Sequence, residues 1–299
     1  MKNIETANTK NALYLNNLLP LCAQYDGFLV DLWGVIHNGR ELLSGVRDSL
    51  FYLHEQKKNV VFLTNSPRRS HNIIGLLSAF GIERNLYKEI FSSGDLLYRD
   101  LLACSAGVLK NLKPRCLCID ELSDHSFFEN LNIELVESVH KADFILITTI
   151  SGRVSEAELH YQNLLKIAAK MEIPLICANA DKTVYVNGHE HVRPGLLAEW
   201  YQSHGGKAYL YGKPDKRMFI EALKKLPDIP ASKVIMIGDS FDTDIAGALN
   251  SGLDSAVVIS EMTGSFYNSD THTLTLEKLA PLTKAHPDQS IYCIPSFTV

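Results

Sequence analysis

Continuous apolar runs that stop on a polar side chain recur along this chain, and they constrain its fold more than any other feature. GFLVDL (27–32), NVVFLTN (59–65) and KVIMIGD (233–239) are the clearest. A strand without apolar–polar alternation is covered on both faces, an environment that a parallel sheet between two layers of helices provides. Segments of helical period lie between such runs: Leu43 to about Gln56, SHNIIGLLSAF (70–80) ahead of Gly81, SEAELHYQNLLKIAAKM (155–171), and stretches at 215–226 and 242–250. EIFSS (89–93), PRCLCID (114–120), NIELVES (132–138), DFILITT (143–149), IPLICAN (173–179), KAYLYG (207–212) and SAVVIS (255–260) read as further strands, with a helix from Asp95 towards Ala106. This alternation predicts an α/β fold with a doubly wound parallel-sheet core.

The polar strand ends belong to the first and last thirds of the chain. In an open parallel sheet the ligand lies beyond the carboxyl ends of the strands, where the connections diverge. Residues 1–108 and 193–299 are therefore expected to form the core, with 109–192 an inserted α/β cap domain lying over that edge. Leu13, Leu18, Leu19 and Leu21 read as one face of an N-terminal amphipathic helix. The polar segment 262–275 reads as a surface loop.

At 299 residues the chain is long enough for roughly two domains. A formal net charge of −5 gives no electrostatic footprint for nucleic acid. No basic run suits an anionic membrane, no apolar stretch reaches the length of a span, and the first residues lack a signal-peptide core. The expected compartment is the cytoplasm. Of the six cysteines, Cys22, Cys104, Cys116, Cys118, Cys177 and Cys293, most sit in apolar segments. Cys116 and Cys118 form a C-x-C with no second pair to complete a zinc site, so buried reduced thiols are expected. His189-Glu190-His191 follows a Gly and reads as a solvated turn rather than a metal site.

The strand ends offer Asp31, Thr64-Asn65 and Gly238-Asp239; Lys213 opens a helical segment in YGKPD, and GDSFDTD adds Asp242 and Asp244. A phosphoryl site needs a nucleophile, donors for the equatorial oxygens and cations against the accumulated charge. Asp31 can attack phosphorus to form an acyl phosphate. Thr64 and its neighbour Asn65 offer donors to the phosphoryl oxygens, and Lys213 offers fixed positive charge. Asp31 and Asp239 repel each other unless a hard divalent cation lies between them, and Mg²⁺ suits such a donor set. Singly, each residue also has an ordinary use, as a helix cap, a turn former or a solvated charge. Their joint placement on one sheet edge is what points to a site. Neither a P-loop nor a dinucleotide-binding glycine fingerprint occurs.

The ordered set DLWGV, FLTNS, YGKPD and IGDSFDTD resembles the haloacid dehalogenase superfamily of hydrolases over about residues 25–260. More narrowly it is similar to the class IIA branch, whose members include p-nitrophenyl phosphate, phosphoglycolate, ribonucleotide and pyridoxal phosphate phosphatases. The resemblance implies that Asp31 is the nucleophile, that Thr64 binds the phosphoryl group and that Lys213 pairs with both. It also implies that Asp239 is a direct Mg²⁺ ligand, that Asp244 holds a metal-bound water, and that Asp242 only decorates a helix start. ANAD (178–181) resembles an Asn-Pro-Asp segment near the end of the branch's cap, with Ala180 in place of Pro. Asn179 and Asp181 thereby become candidate specificity residues within 179–185. Pairing of caps between subunits in this branch makes a homodimer an expectation.

One position departs from the pattern. Phosphatases of the superfamily carry an Asp two residues after the nucleophile, which protonates the leaving oxygen and then activates water; here it is Trp33. The family's Mg²⁺ takes the backbone carbonyl of that residue, a ligand that Trp33 retains. His37 is the nearest group able to take over proton transfer. Three functions stay open on this reading: a Mg²⁺-dependent phosphatase of a small phosphorylated metabolite with reduced activity, a non-catalytic phosphometabolite-binding or regulatory protein, and a haloacid dehalogenase-type hydrolase.

Overall fold

A computed structural model of the protein describes residues 12–103, 109–110, 112–120, 125–150, 152, 154–186, 189–260, 263, 267–268, 273–274 and 276–299. The chain divides into two compact units. The first holds residues up to Thr64 together with Ile73–Phe91 and Lys213–Val299, the second Asn65–Asn72 and Ser92–Gly212. The second therefore contains 109–192 along with 65–72, 92–108 and 193–212.

A seven-stranded sheet forms the first unit. Its order is Ala12–Tyr14, Ile291–Ile294, Asp254–Val258, Val234–Gly238, Gly27–Val30, Asn59–Thr64 and Glu89–Ser92. From Ala12–Tyr14 across to Asn59–Thr64, every neighbouring pair runs parallel. Alternate residues serve opposite faces. Phe28, Val30, Val60, Phe62, Ile235 and Ile237 pack under Leu50 and Leu53 of the helix Val46–Glu55 and Ile73 and Leu77 of Ser70–Ala79. On the opposite face Val257, Ile291 and Cys293 pack with Ile245, Leu249 and Leu279. Complete burial of each large side chain here contributes roughly 1.5–3 kcal/mol. The doubly wound α/β architecture expected of the core is present, and the winding direction reverses between Gly27–Val30 and Val234–Gly238.

The second unit has its own five-stranded parallel sheet, in the order Ala208–Leu210, Leu175–Cys177, Phe144–Thr149, Arg115–Asp120, Glu134–Leu135. Leu117, Ile119, Ile145, Ile147 and Leu175 pack against Leu165 of the helix Val154–Lys170 and Leu197, Ala198 and Tyr201 of Pro194–Ser203.

Several expectations are corrected. Leu13 does not share a helix with Leu18, Leu19 and Leu21: Ala12–Tyr14 is an edge strand on Ile291–Cys293, Leu13 is 52% exposed, and the helix is only Leu19–Gln24. The helix expected from Leu43 begins at Val46, because Gly45 ahead of it adopts φ +75°. NIELVES supplies only the exposed two-residue strand Glu134–Leu135. His189–Val192 is not a turn but a strand, paired antiparallel with Thr183–Val186. Within 262–275, Tyr267–Asn268 pairs antiparallel with Thr273–Leu274. The helix after Ser92 runs Ser93–Ala103, and its expected end near Ala106 lies outside the described residues, as does Cys104.

The five described cysteines carry free thiols. Burial pushes Cys22 up to about 11 and Cys118, Cys177 and Cys293 up to about 12. Cys116 is raised further, by burial and then by Cys118. Thiols held protonated in this way are poor metal ligands and nucleophiles. No helix among the described residues is long and apolar enough to cross a membrane.

Candidate active site

The winding reversal places two carboxylates side by side. Val30 pairs with Ile237, so Asp31 and Asp239 leave adjacent strand ends, and the Asp31 N–H still donates to the Ile237 carbonyl at 2.9 Å. On the other flank Val30 pairs with Phe62, which brings the end of Asn59–Thr64 alongside. Thr64 is buried there at the strand terminus.

Lys213 opens the last segment of the unit, just ahead of the helix Lys216–Leu223, whose start is capped by Asp215 accepting from the Arg217 N–H. Its side chain is 2% exposed, and such burial of an ammonium requires partners. Nζ donates to Asp31 Oδ1 at 2.6 Å and to the Leu63 carbonyl at 2.9 Å, and lies 2.7 Å from Asp244 Oδ1. Leu63 precedes Thr64, so one ammonium ties the second strand end to the first.

Asp244 reaches the cluster through a wide π-helical turn, Phe241–Ile245. Its carboxylate folds back to accept from the Ser240 N–H at 3.2 Å and is fully buried. Asp242, on the same turn, faces outward. Two glycines make the packing possible, a role that their places in the sequence, though noted, were not assigned. A Cβ on Gly238 would lie 2.2 Å from Asp244 Cγ; one on Gly34, where φ is +78°, would lie 2.0 Å from Asp239 Oδ2. The signal available was their spacing, three residues after Asp31 and one before Asp239.

Ligand oxygens of Asp31, Asp239 and Asp244 lie within 4.8 Å of one another, the one such acidic trio among the described residues. Among the described residues, these three carboxylates face the Lys213 ammonium in a buried site. Burial first, then the Asp31 and Asp244 charges, push the Asp239 carboxyl well above the usual carboxylate range. Oxygen donors of this hardness, close together and short of positive charge, fit a small divalent cation.

Trp33 is half-buried, and its indole covers the backbone of Gly39, where a Cβ would lie 2.2 Å from the ring. The His37 ring stands edge-on to the indole at 5.7 Å and 5.2 Å from Phe80. His37 is 4% exposed, its Nδ1 accepts from the Gly39 N–H at 3.1 Å, and burial pushes its pKa down to about 4.

Asn65, Asn179 and Asp181 gather separately, within the second unit. Asn65 Nδ2 donates to Asp181 Oδ1 at 2.7 Å, and the Asp181 N–H donates to Asn179 Oδ1 at 2.9 Å.

Residues 28–134 match the family model described as haloacid dehalogenase-like hydrolase, and residues 210–281 one described as HAD-hydrolase-like. The sugar-phosphatase AraL of Bacillus subtilis is 27% identical over 271 residues, covering 86% of this chain and 92% of that protein. The 4-nitrophenylphosphatase of Schizosaccharomyces pombe is 24% identical, covering 87% of this chain and 89% of its own. Among solved structures, a haloacid dehalogenase-like hydrolase from Brucella suis superposes with a TM-score of 0.78 at 26% identity, covering 95% of this chain and 100% of that one.

Proposed function

Because the chain belongs to the haloacid dehalogenase-like hydrolases, we propose that it is a Mg²⁺-dependent phosphatase of a small phosphorylated metabolite, working through an aspartyl phosphate on Asp31. One observation carries the reading: Lys213, buried, is bonded to Asp31 beside Asp239 and Asp244. Phosphatases acting on sugar phosphates and on nitrophenyl phosphate among its relatives support the substrate class.

In this mechanism an Asp31 oxygen bonds to phosphorus as the bond to the leaving oxygen breaks. Water then hydrolyses the acyl phosphate, releasing inorganic phosphate and restoring the carboxylate. Lys213 holds Asp31 in line and offsets charge on the phosphoryl oxygens, and the Thr64 hydroxyl donates to them. Asp31, Asp239 and the Trp33 carbonyl, with Asp244 through water, would hold Mg²⁺, which supplies the remaining charge neutralisation. Trp33, standing where the family has an acid, leaves the leaving oxygen to depart unprotonated, which favours substrates with acidic leaving groups. Residues 109–192 would act as the cap, with specificity from Asn179–Tyr185, in a cytoplasmic and dimeric protein.

Release of phosphate from a panel of sugar, nucleotide, acyl and aryl phosphates tests the reading. Turnover of at least one member is expected with Mg²⁺, and its loss with excess EDTA. Thermal stabilisation by a phosphometabolite with no product from any member would instead establish the binding or regulatory reading that Trp33 favours. Turnover of a haloacid, indifferent to EDTA, would establish the dehalogenase.

Gly34→Ala is expected to weaken Mg²⁺ binding by about 10–100-fold, since the added methyl must displace Asp239. Calorimetric titration measures this, and an unchanged affinity would remove Asp239 from the metal site.

A further inference from the structure

Asn65 and Gly212 are the chain neighbours of Thr64 and Lys213, two residues on which the proposed hydrolase site depends. They touch. Gly212 adopts φ +124°, and a Cβ there would lie 2.5 Å from Asn65 Oδ1. The Asn65 side chain is therefore seated directly against the peptide that leads into Lys213, and it is 2% exposed. An amide so deeply buried needs a fixed partner, which Asp181 provides at 2.7 Å.

Asp181 is itself held from several sides. The strands Leu175–Cys177 and Ala208–Leu210 run parallel as neighbours, so the turn at 178–181 and Gly212 leave the same edge of that sheet. Asn179 Oδ1 accepts from the Asp181 N–H, and the Asp181 carbonyl accepts from the Gly195 N–H at 2.9 Å. Gly195 packs so tightly that a Cβ would lie 2.3 Å from the Ala180 carbonyl oxygen. Ser93 closes the arrangement. Its Oγ lies 2.6 Å from the Ala178 carbonyl and 2.9 Å from those of Asn65 and Ser66. A hydroxyl has one proton, so these carbonyls share it.

We propose that Asp181 is a positioning residue: through Asn65 it fixes the peptides that present Thr64 and Lys213 to the phosphoryl group. This rests on the hydrolase reading of the Asp31 site. Asn65 then serves as the link between Asp181 and those peptides, rather than as a direct ligand of substrate. The segments ANAD and SSGD (92–95) acquire a purpose on this account, which is to hold the link still.

The test uses the full chain and two readouts: kcat/KM on the best substrate of the phosphate panel, and the Kd of inorganic phosphate by calorimetry with Mg²⁺. Asp181→Ala is expected to lower the first and weaken the second by the same factor, between about 10- and 100-fold. Asp181→Asn keeps an oxygen that can accept from Asn65 and is expected to recover most of both. Asn65→Asp faces two carboxylates and is expected to be as impaired as Asp181→Ala. Combining Asn65→Asp with Asp181→Asn exchanges the partners and is expected to restore phosphate affinity. Phosphate affinity within twofold of the native value in Asp181→Ala overturns the proposal, as does failure of the exchanged pair to recover it. A change confined to Tm shows a purely structural bond and also overturns it. Should Asp181→Ala not fold, the Asn65→Asp variant and the exchanged pair decide alone. A native protein that binds phosphate but releases none from any substrate sinks the hydrolase reading and leaves the affinity arm to judge Asp181.

Discussion

Asp31→Asn is expected to reduce kcat by at least about 10⁴-fold, the scale on which removal of a covalent nucleophile is felt. An amide oxygen can still accept the bond from Lys213, so the geometry at Nζ is largely preserved while the attacking electron pair is lost. The substitution also withdraws one negative charge from three crowded, buried carboxylates. Stability measured in chelator is accordingly expected not to fall. That pairing of lost activity with retained Tm separates a chemical role from a structural one. Steady-state hydrolysis of 4-nitrophenyl phosphate with a thermal melt supplies both measurements. Retention of even a tenth of native activity would show that phosphoryl transfer does not pass through Asp31.

Trp33→Asp is expected to act in the opposite direction, raising kcat on alkyl phosphates by about 10²–10⁴-fold, the usual worth of a positioned acid–base group. Indole offers one N–H donor and no titration near neutrality. His37 is not expected to make good the loss, since it is buried, accepts through Nδ1 from the Gly39 N–H, and has its pKa pushed down to about 4 by that burial. On aryl phosphates, whose leaving oxygens depart without a proton, the gain is expected to be slight. The ratio of alkyl to aryl rates is therefore the discriminating quantity. An unchanged ratio would place the proton donor elsewhere. The substitution gives up the indole's cover over Gly39 and its edge contact with His37, so a lower Tm accompanies the faster rate.

The strand ends at Asp31, Thr64 and Asp239 were legible because a run of apolar residues that halts on a polar one records burial and its limit together. Lys213 was legible only in company, since nothing local distinguishes a buried lysine from a solvated one; its burial follows from two aspartates far along the chain. Ala12–Tyr14 and Ile291–Ile294 escaped notice for a related reason. Three or four residues carry little period of their own, and what makes them strands is a neighbour at the other end of the sequence. His189–Val192 was misread because its polar side chains suit a turn, whereas the antiparallel partner Thr183–Val186 satisfies its backbone and leaves His189 and Glu190 in solvent. The bond between Asn65 and Asp181 was beyond reach altogether, because it depends on how a turn, a helix start and a glycine converge.

The pairing of residues 12–14 with 291–294 has a consequence for biogenesis. During translation, the stretch at 12–14 must wait, unmated, until residues 291–294 have left the ribosome. The sheet Arg115–Leu210 needs nothing synthesised later than its own edge. A nascent polypeptide stalled before 291 would hold that smaller sheet complete while Asp254–Val258 remained open along one side, a surface on which holdase chaperones could act.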